Sequence, residues 1–290
     1  MKTRTMMCAL VLLLASFTWS FSCTTVSIID ANGLFVGFNL DYSNYNPKIW
    51  FIPASEGEYG RFCYGFDKQY RTAEGGMNEK GLFIAVNALN KDAGWKADKA
   101  LTDWEKWDGW LETGVPDGIL AKCATVDEAV MIFRTYNLFT LNRVKFLLAD
   151  KTGASVVVEW ANDGLAVTER KGDYQIATNF VAANYTKDKY PCGRYAVADL
   201  VLSREQRKNP IDKIRAALSA AHLEFQTPTV LSVICDLGKG NIWLYFFHNY
   251  EEVVNRNLFQ ELSNGGSRHE AAKLFKINPY VADVYRQYVK

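Results

Sequence analysis

At Ser20-Phe21-Ser22-Cys23-Thr24-Thr25, an apolar N-terminal segment gives way to the first β-branched run of the chain. Lys2 and Arg4 precede an apolar run over residues 8–15, and small residues stand at positions 20 and 22, as in a secretory signal. We therefore predict that residues 1–22 are removed on export to the periplasm or the cell exterior. The mature chain then begins at Cys23, which carries both a thiol and a free α-amine.

The composition predicts a globular protein that neither binds nucleic acid nor spans a membrane. The chain has 290 residues and 49% hydrophobic content, which is enough for a large core. Loss of Lys2 and Arg4 leaves 31 basic against 32 acidic side chains, so nucleic-acid binding has no electrostatic basis. The apolar run before Cys23 is too short to cross a bilayer, and no later stretch is long enough. Because no internal repeat or clear linker occurs, residues 23–290 are predicted to form a single domain.

The cysteines and histidines show no metal-binding pattern. Six cysteines are present, and loss of Cys8 leaves five, so an exported chain keeps at least one unpaired or reactive thiol. The other four either form disulfides or stay buried as free thiols, and the sequence does not decide between these. No C-x-x-C occurs, and the three histidines lack H-E-x-x-H or comparable spacing. We therefore expect neither a metal nor a cofactor.

Local patterns predict a mixed α and β architecture with mostly antiparallel strands. Residues 24–30 and 34–40 flank the turn residues Asp30-Ala31-Asn32-Gly33, which predicts a β-hairpin directly after the cleavage site. Thr125-Val126-Asp127-Glu128 fits a capping box that opens a helix. Asn209-Pro210 is a favourable start for another helix. Further strands are predicted over residues 82–86, 145–149, 155–160, 229–235 and 242–248, and a helical tail over residues 281–288.

Two further features have a structural and a functional interpretation. Trp104, Trp107 and Trp110 have helical spacing, and packing on the core is favoured over lining a substrate pocket. His222 falls near the end of the helix that starts at Asn209, where interaction with the helix dipole is favoured over catalysis.

A thiol at a mature N-terminus can act as a nucleophile without a histidine. Its α-amine has a pKa of about 7.7 to 8.0, low enough to take up a proton near neutral pH. The thiol, with a pKa of about 8.5, needs only modest activation. The amine acts as the base and later passes the proton to the leaving amine. Such a site also needs an acceptor that orients the amine, donors for the oxyanion and usually a cation.

Seven short motifs follow one another in order over most of the mature chain. They are Cys23-Thr24-Thr25, Gly37-Phe38-Asn39-Leu40-Asp41-Tyr42, Gly76-Met77-Asn78-Glu79-Lys80-Gly81-Leu82, Leu148-Ala149-Asp150-Lys151-Thr152-Gly153, Thr178-Asn179-Phe180, Cys192-Gly193-Arg194-Tyr195 and Val233-Ile234-Cys235-Asp236. Together they resemble the choloylglycine hydrolase family, which includes bile salt hydrolases and penicillin V acylases. Each motif alone is weak, whereas their order behind an N-terminal cysteine is fairly specific.

The resemblance implies an α+β fold of the N-terminal nucleophile hydrolase type, a four-layer αββα sandwich with two antiparallel sheets between helical layers. It also implies hydrolysis of a linear amide, with Cys23 as nucleophile and amine base and Asp41 holding the α-amine or the thiol. Asn179 would donate its side-chain amide to the oxyanion, the backbone N–H of Asn87 would be the second donor, and Arg194 would be the cation that organises Asp41 and Cys23. If these residues had only structural roles, Asp41 would accept a hydrogen bond in a turn and Arg194 would form a surface salt bridge. Asn87 and Asn179 would cap strand ends.

The implied substrate is a small-molecule N-acyl amine or N-acyl amino acid, such as a bile salt or penicillin V. The resemblance also implies a homodimer or homotetramer. One position departs from the family pattern, because Phe38 stands where an arginine usually lies three residues before the aspartate. A phenyl ring cannot donate a hydrogen bond to a thiolate or an acyl oxygen. Activation is therefore expected to depend more on Arg194 or Asp41, and acyl specificity is expected to differ.

Two functions from other classes remain open on the sequence. Cys23 could be the lipid attachment site of a non-catalytic binding lipoprotein, which would block the α-amine. Lipoprotein signals usually have leucine where this chain has Ser20, which favours simple cleavage. Alternatively, the departure at Phe38 could mark a protein that binds acylated ligands without hydrolysing them.

Overall fold

The computed structural model describes residues 22–70, 72–89, 114–136, 139–162, 164–186, 189–204, 209–225 and 227–276. The three tryptophans at 104, 107 and 110 and the predicted helical tail lie outside these ranges. The helices are α1 (Gly114–Lys122), α2 (Val126–Thr135), α3 (Gly193–Arg204), α4 (Pro210–Ala220) and α5 (Leu258–Ser263). The strands are β1 (Thr24–Asp30), β2 (Gly33–Asp41), β3 (Lys48–Ile52), β4 (Arg61–Gly65), β5 (Gly75–Asn78), β6 (Leu82–Ala88), β7 (Val144–Asp150), β8 (Ser155–Ala161), β9 (Gly164–Glu169), β10 (Tyr174–Ala177), β11 (Thr229–Asp236), β12 (Asn241–Phe246), β13 (Asn249–Asn257) and β14 (Ser267–Glu270).

The strands form two antiparallel sheets. The six-stranded sheet has the order β10-β1-β2-β11-β12-β13, and the eight-stranded sheet has the order β14-β3-β4-β5-β6-β7-β8-β9. Most neighbours in the eight-stranded sheet follow each other in the chain, as in a meander. In the six-stranded sheet, by contrast, β1 and β2 pair with strands about 150 to 200 residues away, at β10 and β11. This long-range pairing brings distant parts of the sequence to the N-terminal strand.

Alternating side chains on the strands separate three hydrophobic layers. In β2, Val36, Phe38 and Leu40 face the other sheet, and Phe35 faces the helices. Helices α3 and α4 cover the outer face of the six-stranded sheet, and α1 and α2 cover the outer face of the eight-stranded sheet. The predicted fold class, a four-layer αββα sandwich, is therefore confirmed.

Several local predictions are also confirmed. The hairpin predicted after Cys23 is formed by β1 and β2, which pair from Thr24–Asn39 to Asp30–Gly33. Thr125 caps α2 by accepting a hydrogen bond from the backbone N–H of Glu128, and Asn209 caps α4 by accepting one from Ile211. Both caps satisfy backbone donors that a helix leaves free in its first turn.

The described residues contain no disulfide, and Cys63, Cys123 and Cys235 are buried free thiols. Of the two possibilities that the sequence left open, disulfides or buried free thiols, these three cysteines are therefore free thiols. None of the described helices has the length and apolar character needed to cross a bilayer.

The alternation along β1 also sets the position of the N-terminal cysteine. Thr25 and Ser27 point to the eight-stranded sheet, where they hydrogen bond to Asn87 and Ser155. Cys23 has the same parity, so its side chain lies between the two sheets. Thr24 points the other way, towards α3.

Gly37 marks the closest approach of α4 to the six-stranded sheet and generates a stability prediction. A Cβ at this position would lie 2.1 Å from Ile214 Cγ2. We expect Gly37→Ala to lower the free energy of unfolding by about 1–3 kcal/mol through overpacking, measured by urea denaturation. Gly164→Ala is the matched control, since a Cβ there meets no atom within 4 Å. An unchanged stability in Gly37→Ala, or an equal loss in Gly164→Ala, would contradict the close-packing explanation.

Candidate active site

Five strand ends meet around Cys23. The residue directly precedes β1, Asp41 ends β2, Thr229 begins β11, and Asn87 and Ala88 end β6. Asn179 follows the end of β10 by two residues. Because β2, β10 and β11 belong to the same sheet as β1, and β6 to the facing sheet, the sandwich itself brings these residues together.

The backbone nitrogen of Cys23 is held by Asn179. It donates a hydrogen bond of 2.9 Å to Asn179 Oδ1, and the side-chain nitrogen of Asn179 donates one of 2.6 Å to the carbonyl of Ala88. Arg194 donates a further bond of 2.7 Å to the same Oδ1. Two donors converge on this oxygen, which fixes the orientation of the Asn179 amide.

Arg194, in the first turn of α3, connects three parts of the site. Its guanidinium donates to the carbonyl of Cys23 at 2.9 Å and to Thr24 Oγ1 at 3.1 Å. The same nitrogen lies 3.6 Å from Asp41 Oδ2. The sequence predicted that Arg194 would organise Asp41 and Cys23, and the structure brings the three together.

Asp41 is fully buried and interacts with two neighbours. Thr229 Oγ1 donates to Asp41 Oδ1 at 2.5 Å, while Oδ2 lacks a hydrogen-bond partner among the described residues. Burial raises the pKa of Asp41 to about 8, although Arg194 and Thr229 each act to lower it. With the Ser22–Cys23 bond intact, this carboxyl is therefore largely protonated at neutral pH.

Cys23 is 7% exposed as a residue, and burial sets the chemistry of its thiol. Burial raises the pKa of the thiol well above its ordinary value, and Asp41 and Glu74 raise it further. The backbone N–H of Asp41, which hydrogen bonds to the sulfur, and the charge of Arg194 act in the opposite direction. In the uncleaved chain the thiol is consequently protonated and a weak nucleophile.

Asn87 lies where the two sheets meet, and its side chain ties them together. Its Oδ1 accepts a 2.8 Å bond from Thr25, and its Nδ2 donates a 3.4 Å bond to the carbonyl of Ala177. Two residues after Asn87, just past the end of β6, the N–H of Leu89 donates to the backbone carbonyl of Arg143 at 2.7 Å. Hydrogen-bonded pairs alternate in an antiparallel ladder, so the Asn87 N–H points to β7 and the Ala88 N–H points to the Asn179 side.

The segment carrying Asn179 is anchored by a buried ion pair that the sequence did not reveal. Lys145 Nζ donates to the carbonyl of Phe180 at 2.7 Å and lies 3.6 Å from Glu159. Glu159 in turn accepts from the backbone N–H groups of Ala182 and Ala183 at 3.1 and 2.9 Å. The charges of Lys145 and Glu159 are compensated by each other and by these backbone groups. The ion pair is therefore a rigid support for the segment that carries Asn179.

Phe38 occupies the inter-sheet core that also contains Cys23, and Tyr64 packs against it. The ring centroids are 5.1 Å apart, and both side chains are fully buried. The Tyr64 hydroxyl has no hydrogen-bond partner among the described residues. Burial raises its pKa, and Cys235, Cys23 and Glu74 raise it further, so the hydroxyl lies within electrostatic range of Cys23.

Sequence reasoning missed Thr229, Tyr64, Glu74 and the backbone of Ala88. Glu74, whose pKa is raised by burial, precedes the Gly76 motif by only two residues and was within reach of motif inspection. The others had no local signal, since a threonine at a strand start and a tyrosine in a strand are common core residues.

Known structures of hydrolases share this fold. Two variants of the conjugated bile acid hydrolase from Clostridium perfringens match with a TM-score of 0.64 each. Their sequence identities are 17% and 16%, and the matches cover 88% and 89% of this chain and 97% and 99% of those chains. Penicillin V acylase from Agrobacterium tumefaciens matches with a TM-score of 0.60 at 15% identity, over 86% of this chain and 91% of that one. At these identities the similarity shows the fold, the predicted N-terminal nucleophile hydrolase fold.

No protein-family model matches the sequence, and no curated protein sequence matches it significantly.

The raised pKa of Asp41 generates a prediction about stability and pH. The folded-state pKa of about 8 lies above the ordinary value of 3.8, so the folded chain holds a proton that the unfolded chain releases. The stability contributed by this proton is complete below about pH 4 and is lost as the pH rises towards about 8. We expect the unfolding free energy of a chain starting at Ser22 to fall over this range, measured by denaturant unfolding at several pH values.

Two comparisons test the assignment of that slope to Asp41. Asp41→Asn, which keeps the contact with Thr229, should flatten the slope, whereas Asp127→Asn on the exposed face of α2 should not. In the chain that begins at Cys23, the positive α-amine should lower the pKa of Asp41 and also reduce the slope. The same slope in Asp41→Asn as in the unaltered chain would rule out this carboxyl as its source.

Proposed function

We propose that the protein is an exported amidohydrolase in which Cys23, exposed as the N-terminal residue by removal of residues 1–22, cleaves the C–N bond of an N-acyl amine. One observation carries the proposal: the nitrogen of Cys23 lies 2.9 Å from Asn179 Oδ1, in contact with the Arg194 and Asp41 network. A structural role for the strand start would not require two polar side chains, Asn179 and Arg194, on the backbone of one buried cysteine.

Cleavage before Cys23 turns this backbone nitrogen into an α-amine held by the same acceptor. The amine takes up the thiol proton, since its pKa of about 7.7 to 8.0 suits proton transfer near neutral pH. The thiolate then attacks the acyl carbonyl, and the ammonium passes its proton to the leaving amine as the C–N bond breaks. Water activated by the amine hydrolyses the thioester and releases the carboxylic acid.

The thiolate formed in this step has two stabilising neighbours. The backbone N–H of Asp41 hydrogen bonds to the sulfur, and the guanidinium of Arg194 lies on the other side of the Cys23 backbone. The new ammonium adds a positive charge beside both Cys23 and Asp41. The nucleophile is therefore latent in the uncleaved chain and activated by the cleavage itself.

The backbone donor for the oxyanion is assigned to Ala88 in preference to the Asn87 of the sequence prediction. The Asn87 N–H faces the ladder with β7, whereas the N–H and C=O of Ala88 both face Asn179. The second N–H of the Asn179 side-chain amide lies beside it. Each donor aimed at the developing oxyanion contributes about 3 kcal/mol to the barrier.

Tyr64 supplies the hydrogen-bond donor that Phe38 cannot. Its hydroxyl is buried, lacks a partner among the described residues, and lies within electrostatic range of a thiolate formed at Cys23. A Cβ on Gly75 would lie 2.3 Å from this oxygen, so the glycine leaves room for the hydroxyl. A buried unsatisfied donor costs stability, and its retention is explained by a hydrogen bond made only with the reacting thiolate or acyl group.

The substrate class is an N-acyl amine or N-acyl amino acid with an apolar acyl group, for which bile salts and penicillin V are the first compounds to test. Cys23 belongs to the apolar core between the sheets together with Phe38, and the stacked rings of Tyr42 and Phe66, 4.3 Å apart, pack against that core. Such walls favour an apolar acyl chain over a charged one.

The lipoprotein alternative conflicts with the position of Cys23. A diacylglyceryl thioether needs a sulfur that reaches the membrane surface, whereas Cys23 is only 7% exposed and its side chain lies between two sheets. N-acylation would also block the amine that Asn179 is placed to hold.

Replacement of the nucleophile tests the proposed function directly. We expect the exported chain to begin at Cys23 and to release amine from a panel of N-acyl amides, with an acyl adduct on Cys23 detected by intact mass. Cys23→Ala should abolish amine release, and Cys23→Ser should lower it by at least about 100-fold because a hydroxyl is far less acidic than a thiol. Full activity in Cys23→Ala would refute the mechanism, and a diacylglyceryl group on Cys23 would support the lipoprotein.

The Tyr64→Phe variant tests whether the Tyr64 hydroxyl has a catalytic or a structural role. Because the hydroxyl lacks a folded-state partner, its removal should leave the free energy of unfolding unchanged or slightly raised. The rate of acylation should nevertheless fall by at least about tenfold. Tyr245→Phe, a buried tyrosine on the helix-facing side of the six-stranded sheet, is the matched control and should keep full activity. Equal acylation rates in Tyr64→Phe and the unaltered chain would exclude this role.

A further inference from the structure

Two histidines and a glutamate meet at a place outside the candidate active site. His222 and Glu224 follow the end of α4, and His248 lies in the turn between β12 and β13. One ligand atom from each residue lies within 4.8 Å of the other two. The imidazole rings stack with centroids 5.0 Å apart and planes at 21°, and His222 Nε2 lies 3.1 Å from Glu224 Oε1.

The hydrogen bond on the far side of His222 orients its ring for coordination. His222 Nδ1 contacts the backbone carbonyl of Ser219, an acceptor only, so Nδ1 carries a proton. In a neutral ring, Nε2 then presents its lone pair towards the Glu224 carboxylate, which brings two acceptors together. A carbonyl on one ring nitrogen and a ligand site at the other is the arrangement typical of metal-bound histidines.

The turn that presents His248 has an unfavourable backbone. Phe247 and His248 have φ values of 50° and 47°, and both are non-glycine residues in the left-handed region. A two-residue turn with both residues at positive φ usually contains asparagine, aspartate or glycine. Bulky residues in this conformation cost free energy, and such strain is concentrated at binding and functional sites. Here it holds the His248 ring against His222.

We propose that His222, Glu224 and His248 form a binding site for a divalent transition-metal ion of the zinc class. Two imidazole nitrogens and one carboxylate oxygen are a common ligand set for zinc and a poor one for Ca²⁺ or Mg²⁺, which prefer oxygen ligands. The Glu224 side chain is 52% exposed and the His222 side chain 25%, so an ion can enter from solvent. Solvent then fills the remaining coordination position.

The site is connected to Asp41 by two hydrogen bonds. The N–H of Leu223, between the two ligands, donates to Thr229 Oγ1 at 3.0 Å, and Thr229 Oγ1 donates to Asp41 at 2.5 Å. The N–H of Thr229 also donates to the carbonyl of Leu223 at 2.9 Å. A bound ion therefore fixes the segment that positions Thr229, and through it the orientation of the Asp41 carboxyl.

A metal titration of the exported protein tests the site without reference to amide hydrolysis. The protein carries Cys23→Ser, so that the reactive thiol does not bind metal, and is treated with EDTA and desalted. We expect calorimetry to show one equivalent of Zn²⁺ bound with a micromolar or tighter Kd, and no saturable heat with Mg²⁺. Co²⁺ should bind with a spectrum of nitrogen and oxygen ligands and without thiolate charge-transfer absorption.

Three variants assign the binding to these side chains. Glu224→Gln alters an exposed side chain, and His248→Asn introduces a residue that tolerates positive φ, so both should fold. Each should weaken Zn²⁺ binding by at least tenfold and remove the metal-dependent rise in Tm. His269→Asn removes a histidine outside the cluster and should bind Zn²⁺ as the unaltered chain does.

Hydrogen exchange gives a second measurement on the same samples. Zn²⁺ should slow exchange at the amides of Leu223 and Thr229 in the unaltered chain and not in Glu224→Gln. No saturable heat with Zn²⁺ or Co²⁺, or equal affinity in Glu224→Gln and His269→Asn, would overturn the proposal. In that case the cluster is an imidazolium–carboxylate pair only. Because the reacting thiol is absent, none of these results depends on whether the protein hydrolyses amides.

Discussion

The N-terminal strand is hydrogen bonded on both sides, and the candidate active site depends on that constraint. β1 pairs with β2 along its whole length and with β10 over four residues. A shift of one residue in the pairing of a strand would turn each of its side chains to the opposite face of the sheet. Pairing with two neighbours opposes such a shift. The register therefore fixes Cys23 between the sheets and places its nitrogen at Asn179, and the other contacts of the site follow from this position.

In the proposed function, burial keeps the site inactive until the chain is cleaved before Cys23. Cys23, Asp41, Asn179 and Tyr64 are all nearly or fully inaccessible to water, and in such surroundings the neutral forms of acids are favoured. The positively charged guanidinium of Arg194 contacts both Cys23 and Asp41. A new α-amine adds a second positive charge at the same point. In a low-dielectric environment, that single charge changes the protonation of its neighbours more than it would in water.

The two sheets support the site in different ways. The six-stranded sheet brings in residues distant in sequence, since β2 pairs with β11 from Asp41–Thr229 to Phe35–Asp236. The eight-stranded sheet contributes the end of β6 and the Lys145–Glu159 pair, which holds the backbone after Asn179. The segment after α4 links the second cluster of His222, Glu224 and His248 to the same network through Leu223 and Thr229. Packing of the two sheets thus joins groups that have no contact along the chain.

The sequence by itself determined the hairpin that follows Cys23, the helix caps at Thr125 and Asn209, and a mixed α and β architecture with antiparallel strands, and the order of its short motifs pointed to the αββα sandwich. These features are encoded locally, in turn residues, capping residues and short motifs, and local chemistry is what a sequence displays. It also pointed to Asp41, Asn179 and Arg194, whose motifs follow one another in order. Only the tertiary structure decided that Asn179 faces the Cys23 nitrogen, that the Ala88 N–H points into the site, and that Thr229, Tyr64 and the two histidines approach their partners. Those relations arise from strand register and from the packing of one sheet on the other, and no spacing along a single segment records them.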